Sequence, residues 1–468
     1  MFKNNDILKL VIKMNEHIKI DDVLDLEVRR LGINGEGIAY YKKLAIFIDH
    51  AIPGEKVKAK IKEVYDNRAI AEVESILVSS PDRMIPFCPV YETCGGCQTQ
   101  HISYEASLNF KRDIILKSFD RYAGLAIKES IVKPTIGTDA PLNYRNKASL
   151  PVQYIKGKNR FGMYQKNSNV FIPIDECPIQ HDDLNRILRL IVSLMNTYDI
   201  KAIDPKTKDG YIRNIIVRIA EHTKEIQVSF ICFKKSNRLI ELCDALMKKE
   251  PYIVSVYEVI NNDLKKPGFF TSKMTLLRGK ETIDELLNGH HYELRPDAFF
   301  QLNTRQADRF YQEMTRLAKL KKHEIAIDAY AGSAPVSHYV FDQAKHVYAI
   351  EIDKASCDSA KASLERNNIQ NVTVLQSDFK RALISLKEKN IDVMFFDPPR
   401  TGLGDDTIDL IIKAKPKRLV YGSCNPSTLA KDLNRLLSHY DLIEVVPIDM
   451  FPYTSLVESV TLLSLKTA

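Results

Sequence analysis

The stretch Glu324-Ile-Ala-Ile-Asp-Ala-Tyr-Ala-Gly332 reads as a short apolar strand that ends in an acidic residue and a turn. Four similar strands follow, and a helical pattern separates each from the next. The five predicted strands span residues 324–329, 346–350, 372–376, 391–396 and 418–422. Near-continuous apolar strands alternating with helices indicate a mostly parallel sheet covered on both faces. We therefore predict a Rossmann-like α/β fold here, with ligands bound beyond the carboxyl ends of the strands.

Acidic residues stand at the ends of the first three predicted strands. Asp328 begins the loop after the first, Glu351 follows the second 23 residues later, and Asp378 follows the third. The second could accept both hydroxyls of a ribose and the third could reach an adenine amino group, although each alone would equally suit a helix cap or a solvated turn. Together they favour a nucleoside-containing cofactor. No G-x-G-x-x-G motif is present, which argues against a pyrophosphate and favours S-adenosylmethionine.

Two reactive side chains stand further along the same part of the chain. Cys424 lies in the polar loop Gly422-Ser-Cys-Asn-Pro426, 27 residues after the Asp397-Pro-Pro-Arg400 turn. An isolated cysteine is more often a buried apolar side chain, but a polar loop favours a nucleophile. Glu458 interrupts an otherwise apolar strand, where an unpaired carboxylate is costly unless it serves, for example, as a proton acceptor. We expect Asp397, in a loop that two prolines stiffen, to position cofactor or substrate.

The N-terminal region has a different pattern. Short strands with alternating apolar and polar residues are predicted at 24–29, 38–41, 44–48, 56–64 and 68–76. Five short strands within about 60 residues predict a small closed barrel of OB type, a common platform for nucleic acids. Charge does not decide the matter, because residues 17–77 hold 10 basic and 11 acidic residues. Residues 143–260 mix strand patterns with a predicted helix at 184–198, which indicates an α+β domain.

Size and charge limit the remaining possibilities. A chain of 468 residues is too long for a single core, so two or three domains are expected. We predict a cytoplasmic protein without membrane association, because neither a signal peptide nor an apolar stretch long enough to cross a bilayer is recognisable. Residues 103–165 carry 11 basic against 5 acidic residues. This excess favours a polyanionic partner such as nucleic acid, although a solvated surface would have the same composition.

Eight cysteines in a cytoplasmic chain are expected to be ligands, nucleophiles or core residues. Cys232, Cys243 and Cys357 lie in apolar surroundings that suit small buried side chains. Four others form the pattern C-x5-C-x2-C with a fourth cysteine about 80 residues later, and they could supply four thiolates. These are Cys88, Cys94, Cys97 and Cys177. Zinc and an iron–sulfur cluster both use such a set, so the spacing alone leaves the metal open.

The C-terminal half resembles the family of RNA (uracil-5-)-methyltransferases in four motifs. The family's D-P-P-R-x-G matches residues 397–402, S-C-N-P-x-T matches residues 423–428, and F-Q-x-N matches residues 300–303. The final motif matches Phe451-Pro-Tyr-Thr-Ser-Leu-Val-Glu458. The resemblance implies a Rossmann-like class I methyltransferase domain that uses S-adenosylmethionine to methylate C5 of a uridine in RNA.

The same resemblance implies roles for individual residues. Cys424 would be the nucleophile that adds to C6 of the uracil, which makes C5 an enolate carbon able to take a methyl group. Glu458 would be the general base that removes the C5 proton, after which elimination frees the cysteine. The uridine must leave its stack to expose C6. The residues implied for cofactor binding are Gln301, Asp328, Tyr330, Gly332, Glu351, Asp378 and Asp397.

The N-terminal half resembles the branch of this family that acts on 23S ribosomal RNA, with a TRAM domain at residues 20–77 and an iron–sulfur loop at residues 88–101. The resemblance implies that a 4Fe-4S cluster with a structural or RNA-facing role is bound by Cys88, Cys94, Cys97 and Cys177. It also implies a TRAM domain at 17–77, a central α+β domain with the cluster loop at 78–290, and a methyltransferase domain at 291–468. We expect a monomer whose partner is 23S ribosomal RNA.

The chain departs from the family in the loop after the first predicted strand. The family reads D-x-Y-C-G-x-G-T there, whereas this chain has Ala334 and Pro335 at the last two positions. Ala334 adds a Cβ and Pro335 removes an N–H donor close to where the methionine part of the cofactor is expected. Leu456 and Asn169 also stand where the family has histidines. We still expect an active enzyme, because the implied nucleophile, base, carboxylates and glutamine are retained.

Four other functions stay open. The chain could be a non-catalytic RNA-binding paralogue with an impaired cofactor site, or it could perform the same chemistry on transfer RNA. It could also be a metal-dependent RNA-binding module, or a methyltransferase with another acceptor. Cys424 and Glu458 argue against the last of these, because nitrogen and oxygen acceptors need no such nucleophile.

Overall fold

Three large β-sheets organise the chain in the computed structural model, which describes residues 18–124, 127–204, 206–263, 269–387 and 389–467. The first sheet contains β1 (Val23–Glu27), β2 (Arg30–Leu31), β3 (Gly37–Tyr41), β4 (Leu44–Asp49), β5 (Lys56–Tyr65) and β6 (Arg68–Val78). In β4, buried Leu44, Ile46 and Ile48 alternate with more exposed residues, as one buried face requires. The strand order is β1-β5-β6-β4-β3-β2. Because β1 and β2 are joined by only two residues, the sheet curls until its two ends approach each other.

The second sheet lies in the middle of the chain. Its strands are β7 (Lys147–Ile155), β8 (Lys158–Tyr164), β9 (Phe171–Pro173), β10 (Ile212–Ile219), β11 (Ile226–Cys232), β12 (Ile253–Ile260) and β13 (Met274–Gly279), in the order β13-β12-β11-β10-β7-β8-β9. The helices of this part of the chain are α1 (Tyr104–Ala123), α2 (Asp182–Thr197) and α3 (Arg238–Lys249). Helices α2 and α3 pack on the sheet and form one core with it. In α2 the buried residues Leu184, Leu188 and Ile191 recur at helical spacing, which explains this packing.

The third sheet carries the predicted ligand-binding edge. Its strands are β16 (Ile325–Ala329), β17 (His346–Glu351), β18 (Val372–Gln376), β19 (Val393–Phe396), β20 (Arg418–Ser423), β21 (Tyr440–Ile448) and β22 (Glu458–Leu465), preceded by the hairpin β14 (Ile283–Leu287) and β15 (His290–Leu294). The order is β18-β17-β16-β19-β20-β22-β21. Strands β16 to β20 are parallel, as predicted, and β21 and β22 run antiparallel.

Six helices among the described residues accompany the third sheet. They are α4 (Thr304–Ala318), α5 (Pro335–Val340), α6 (Lys354–Arg366), α7 (Phe379–Ser385), α8 (Asp405–Ala414) and α9 (Pro426–Leu436). Two buried clusters, on opposite sides of the sheet, hold the helices and strands together. Among the described residues, no helix is both long enough and apolar enough to cross a membrane.

Two features cross the predicted domain limits. The hairpin β14–β15 spans the limit at residue 290, and its buried side chains share a core with the C-terminal sheet. Helix α1, which lies within the predicted central domain, packs its buried residues Ile115 and Phe119 against the core around α9. The limits at 77 and 290 therefore stay predictions, since local patterns cannot reveal which core a helix or hairpin joins.

A buried ion pair fixes α1 to the segment between β21 and β22. The Lys111 ammonium bonds to the Asp449 carboxylate, and both side chains are almost fully buried. The Tyr104 hydroxyl donates to the other Asp449 oxygen at 2.8 Å, and Lys111 also donates to the Phe451 carbonyl at 3.1 Å. A buried pair is stable only when its remaining hydrogen-bonding groups are satisfied in this way.

Replacing Lys111 with Met should destabilise the protein by about 3–5 kcal/mol, because Asp449 would remain buried without its counter-ion. The shift of the urea unfolding midpoint measures this loss. The double change Lys111→Met with Asp449→Leu should recover part of it, since no unpaired charge is then left. A loss in the single variant no larger than that of a surface substitution, about 0.5 kcal/mol, would contradict the prediction.

Candidate active site

The predicted site residues lie along one edge of the third sheet. Asp328, Glu351 and Asp378 lie at or just after the carboxyl ends of three adjacent strands, β16, β17 and β18. Asp397 and Cys424 follow β19 and β20, which are the next two strands in the order. Glu458 begins β22, which pairs antiparallel with β20 so that Ser459 is opposite Ser423. The antiparallel pairing of β22 with β20 therefore brings Glu458 beside the loop that carries Cys424.

Asp328 is buried, and its carboxylate bonds to the start of helix α5. It accepts hydrogen bonds from the Ser337 backbone N–H at 3.0 Å and from the Ser337 hydroxyl at 2.7 Å. Burial, with a smaller contribution from the nearby Asp397 and Glu351, raises the pKa of Asp328 to about 7 in spite of these bonds. These contacts are those of a residue that caps a helix. This role is the alternative to ligand binding that the sequence leaves open for an acidic residue at a strand end.

The loop after β16 is held in an unusual backbone conformation. Tyr330, Gly332 and Ala334 all have positive φ, at 60°, 54° and 61°. Only glycine adopts this region without steric cost, so Ala334 is a strained position. Pro335 is the first residue of α5, where a missing N–H donor is tolerated because that group has no partner within the helix. The two departures from the family therefore differ: the alanine costs free energy and the proline does not.

Glu351 ties this loop to the next one. Its carboxylate accepts hydrogen bonds from the backbone N–H groups of Gly332, Ile352 and Asp353, each at 2.8 Å. The side chain of Ile352 beside it is 70% exposed. Asp378 caps α7 by accepting from the Arg381 N–H at 3.0 Å and also forms an ion pair with the Arg381 side chain.

Cys424, Asp397 and Glu458 form the acidic end of the site. Burial raises the pKa of Glu458 to about 8, and the Asp397 carboxylate adds to this rise. Burial alone raises the pKa of Asp397 to about 6. The pKa of the Cys424 thiol is raised by burial and by both carboxylates, whereas the Arg400 guanidinium opposes the rise in Cys424 and in Glu458. One cation therefore favours both the thiolate and the carboxylate that the predicted chemistry needs.

Hydrogen bonds join the two loops that carry Asp397 and Cys424. The Asn425 side-chain amide donates to the Arg400 carbonyl at 3.1 Å, and the Thr428 hydroxyl donates to the same carbonyl at 3.3 Å. The Asn425 side-chain oxygen also caps α9 by accepting from the Ser427 N–H, and Pro426 is the first residue of that helix. These contacts explain why asparagine, proline and threonine follow the cysteine at those spacings.

Gly402 is required by a close approach. Its φ is 80°, and a Cβ placed there would lie 2.6 Å from the Asp432 carboxylate. That carboxylate accepts hydrogen bonds from the Leu403 N–H at 2.8 Å and from the buried Tyr421 hydroxyl at 2.7 Å. The glycine therefore allows the loop after β19 to bond to α9.

Gln301 and Tyr311 lie near the acidic end of the site. The buried Asn146 amide donates to the Gln301 carbonyl at 2.8 Å, and the Gln301 side chain lies near Tyr311. Burial raises the pKa of Tyr311 well above its ordinary value, with contributions from the nearby Asp397 and Glu458. Sequence reasoning missed Tyr311, and it named Arg400 only as part of a motif. The helical spacing of Tyr311 on α4 suits a core residue and contains no signal for a site.

The four predicted metal ligands line one small cavity of about 70 Å³. Burial raises the pKa of the Cys88 and Cys177 thiols and raises that of Cys97 to about 12. Arg145 lines the same cavity, and its buried Nε has no hydrogen-bond partner among the described residues. Within the residues that the structure describes, no three His, Cys, Asp or Glu side chains are grouped closely enough to hold a metal ion.

A groove of about 2010 Å³ runs from the first sheet past α1 to the rim of the candidate site. Its lining includes Arg29, Arg30, Arg68, Lys117, Arg121, Arg145, Lys166 and Arg400, together with five acidic residues. Tyr40, which is half exposed, also lines it. A groove with clustered basic groups and an available aromatic ring has the features of a single-stranded nucleic-acid surface.

Comparison with known proteins identifies the chain's relatives. Residues 270–466 match the family model described as tRNA (uracil-5-)-methyltransferase, and residues 20–73 match the TRAM domain. An uncharacterized RNA methyltransferase of Halalkalibacterium halodurans is 37% identical over 454 residues, which are 96% of this chain and 98% of the relative. Another from Enterococcus faecalis is 35% identical and covers 96% of this chain and 99% of its own length.

A solved structure has a similar fold. It is the Pyrococcus abyssi tRNA (uracil-54, C5)-methyltransferase in complex with S-adenosyl-L-homocysteine, with a TM-score of 0.72 and 24% identity. The match covers 94% of this chain and all of that one, so the two chains share their arrangement of sheets. The predicted TRAM domain and the predicted class I methyltransferase fold are thereby confirmed. With the matched family model and relatives that align along nearly its whole length, the chain belongs to the RNA (uracil-5-)-methyltransferase family and is an enzyme that uses S-adenosylmethionine.

Proposed function

We propose that this methyltransferase acts on one uridine of 23S ribosomal RNA through a covalent bond between Cys424 and C6 of the base. The observation that carries the proposal is the proximity of Cys424, Asp397 and Glu458 at one edge of the third sheet. A thiol beside carboxylates suits addition to a ring carbon followed by removal of a proton. Methylation of a nitrogen or oxygen atom would need no such nucleophile.

In the proposed reaction, the Cys424 thiolate forms an S–C6 bond and the electron pair of the C5–C6 double bond becomes available at C5. S-adenosylmethionine, when bound, would supply the electrophilic methyl group to C5, and its methyl–sulfur bond would break to leave S-adenosylhomocysteine. Glu458 accepts the proton from C5, the C5–C6 double bond forms again, and the S–C6 bond breaks to return the thiolate. Arg400 would favour the ionised forms of Cys424 and Glu458 through its charge.

We propose that the cofactor is held by Gln301, Asp328, Tyr330, Gly332, Glu351, Asp378 and Asp397. The donor set suits it, because these carboxylates and a glutamine can bind ribose hydroxyls, adenine and a charged methionine group. Ile352, the residue after Glu351, is exposed and could pack on the planar adenine base, which fits a place for Glu351 in the cofactor site. Asp328 and Asp378 would act in part through the helix starts that they cap.

The change Glu351→Ala should weaken S-adenosylmethionine binding by about tenfold to a hundredfold, because hydrogen bonds to a charged group contribute about 1.5–3 kcal/mol. The loop after β16 would also lose its bond from Gly332. Isothermal titration calorimetry of the purified chain measures the affinity. Glu365→Ala, which removes an exposed carboxylate of the neighbouring helix α6, is the matched control. Equal affinities in the two variants would contradict the assignment.

We also propose that Cys88, Cys94, Cys97 and Cys177 bind a 4Fe-4S cluster. The four thiols line one cavity, although no three of them lie close enough together here to hold a metal ion, and the unpartnered Arg145 Nε beside them could donate to a cluster sulfur. Iron and acid-labile sulfide analysis of anaerobically purified protein tests this. Detection of zinc and no sulfide would instead indicate a zinc site and contradict the cluster.

The basic groove and the first sheet, which we propose to be an OB-like barrel, would bind RNA next to the flipped uridine. Transfer RNA is the second candidate substrate, favoured by the description of the matched family model. Mapping of 5-methyluridine by mass spectrometry in both RNAs, from cells with and without the gene, distinguishes them. Loss of the mark from ribosomal RNA alone supports the proposal, loss from transfer RNA supports the alternative, and no loss from either would indicate a non-catalytic RNA-binding paralogue.

A further inference from the structure

The segment that leads into Glu458 is held in place by contacts from a part of the chain that is distant in sequence. Residues 449–457, which we call the β21–β22 connector, join the two antiparallel strands and end one residue before the proposed base. Within the connector, Tyr453 has a φ of 62°, in the left-handed region that a bulky side chain rarely adopts. Such a conformation persists only where surrounding contacts impose it, and it is common at functional sites.

The cysteine loop, residues 87–101, supplies those contacts. The backbone N–H groups of Gln98 and Thr99 both donate to the Tyr453 carbonyl, at 3.0 and 3.1 Å. The Gln98 side-chain oxygen accepts from the Ser455 N–H at 3.4 Å, and its amide donates back to the Gly95 carbonyl at 2.9 Å. The Gln98 side chain thus spans the distance between the loop that carries Cys94 and Cys97 and the connector that carries the base.

Aromatic contacts from the same part of the chain add to this support. The Phe87 ring meets the Tyr453 ring edge to face, with 4.9 Å between centroids. The Tyr144 hydroxyl donates to the Pro452 carbonyl at 3.1 Å, and the Arg145 guanidinium lies 5.8 Å from the Phe451 ring centroid. Each of these side chains belongs to the region around the thiol cavity, far from Glu458 in sequence.

We propose that the cysteine loop is a positioning element for the general base, with Gln98 and Phe87 as its positioning residues. The loop holds the connector at its strained Tyr453, and the connector delivers Glu458 to the edge of the sheet beside Cys424. This inference rests on the proposed function, because it assumes that Glu458 removes the C5 proton. It gives the cysteine loop a task in catalysis that depends on its own hydrogen bonds.

The order of the chemical steps makes the proposal testable. The S–C6 bond forms and C5 is methylated before Glu458 acts, so a misplaced base should leave methylated RNA attached to Cys424. The full chain, purified anaerobically, is mixed with tritiated S-adenosylmethionine and 23S ribosomal RNA from a strain that lacks the gene, or with unmodified transfer RNA. Denaturing gels then separate released methylated RNA from the protein–RNA adduct.

Gln98→Met keeps the length of the side chain and removes both of its hydrogen bonds. We expect turnover to fall about threefold to tenfold, as loss of bonds of this kind implies, while the labelled adduct accumulates. Phe87→Ala should have the same signature, and because Phe87 is 41% exposed its truncation leaves the core intact. Thr93→Val, on the same loop but without contact to the connector, is the control and should behave as the unmodified chain.

Three outcomes decide the matter. Adduct accumulation in either positioning variant, and not in the control, supports the proposal. Slower turnover without adduct, or unchanged turnover in both variants, overturns it, because a merely structural loop would not alter the last step selectively. If the unmodified chain transfers no methyl group to either RNA, the proposed function fails first, and this result is distinct from a failure of the loop proposal.

Discussion

Cys424→Ala abolishes methyl transfer, with an expected loss of roughly four orders of magnitude or more, as removal of a covalent nucleophile implies. Without the S–C6 bond, C5 of uracil has no electron pair to offer to a methyl group. The variant should also form no protein–RNA adduct with RNA that contains 5-fluorouridine, whose C5 fluorine prevents release from the unmodified enzyme. Tritium transfer to RNA and denaturing gels measure the two effects.

The matched control is Cys243→Ala. Cys243 is a buried thiol on α3, in the core of the second sheet, and takes no part in the proposed chemistry, so the substitution should leave methyl transfer close to that of the unmodified chain. The Cys424→Ala variant should still bind S-adenosylmethionine, because none of the residues proposed to hold the cofactor is changed. Residual methylation above about one per cent of the unmodified enzyme would contradict the covalent mechanism, since that is a far smaller loss than removal of a nucleophile implies.

Glu458→Gln should lower turnover by about 10²–10⁴-fold, the usual contribution of a general base. In contrast to Cys424→Ala, this variant should accumulate the methylated adduct, because the S–C6 bond and the methyl transfer precede the missing step. The glutamine keeps the shape of the side chain and removes its negative charge. Release of free methylated RNA at an unchanged rate would assign the proton transfer to another group.

The pH dependence follows from the raised pKa of Glu458, which is about 8 in the free protein. A base acts only when ionised, so turnover should rise as the pH passes through 8, where half of Glu458 is ionised, and should level off only above about pH 9. Arg400→Gln should move this rise to higher pH, since the guanidinium lowers the pKa of both Glu458 and Cys424. A profile that does not change with this substitution would contradict the role of Arg400.

Although Glu458→Gln should be less active than the unmodified chain, its folding stability at high pH should be greater. A carboxyl whose pKa is higher in the folded state than in the unfolded state binds its proton more tightly when folded, so folding stability falls as pH rises from the ordinary pKa to about 8. Glu458→Gln should therefore be more stable than the unmodified chain above pH 8. Unfolding in urea at pH 6 and at pH 9 measures this difference and shows that the loss of activity is not a loss of fold.

Much of the site followed from local pattern. The five parallel strands of the C-terminal sheet were predicted within one or two residues, because each is an apolar run between helical patterns, whereas β21 was not predicted. Asp328, Glu351 and Asp378 were placed correctly at strand ends, but the sequence did not reveal that Asp328 bonds to Ser337 or that Asp378 caps α7. A carboxylate that caps a helix and one that binds a ligand can be the same residue type at the same position after a strand, so the sequence does not distinguish the two roles.

The sequence by itself determined the elements, the reactive side chains and the family, since these depend on residues close together in the chain. Only the tertiary structure decided how they combine. Cys424 and Glu458 meet because β22 runs antiparallel beside β20, and α1 joins the C-terminal core through Lys111 and Asp449. The cysteine loop holds Tyr453 more than 350 residues away. Strand order and buried pairs of this kind depend on long-range packing energy, which leaves no periodic trace in the sequence.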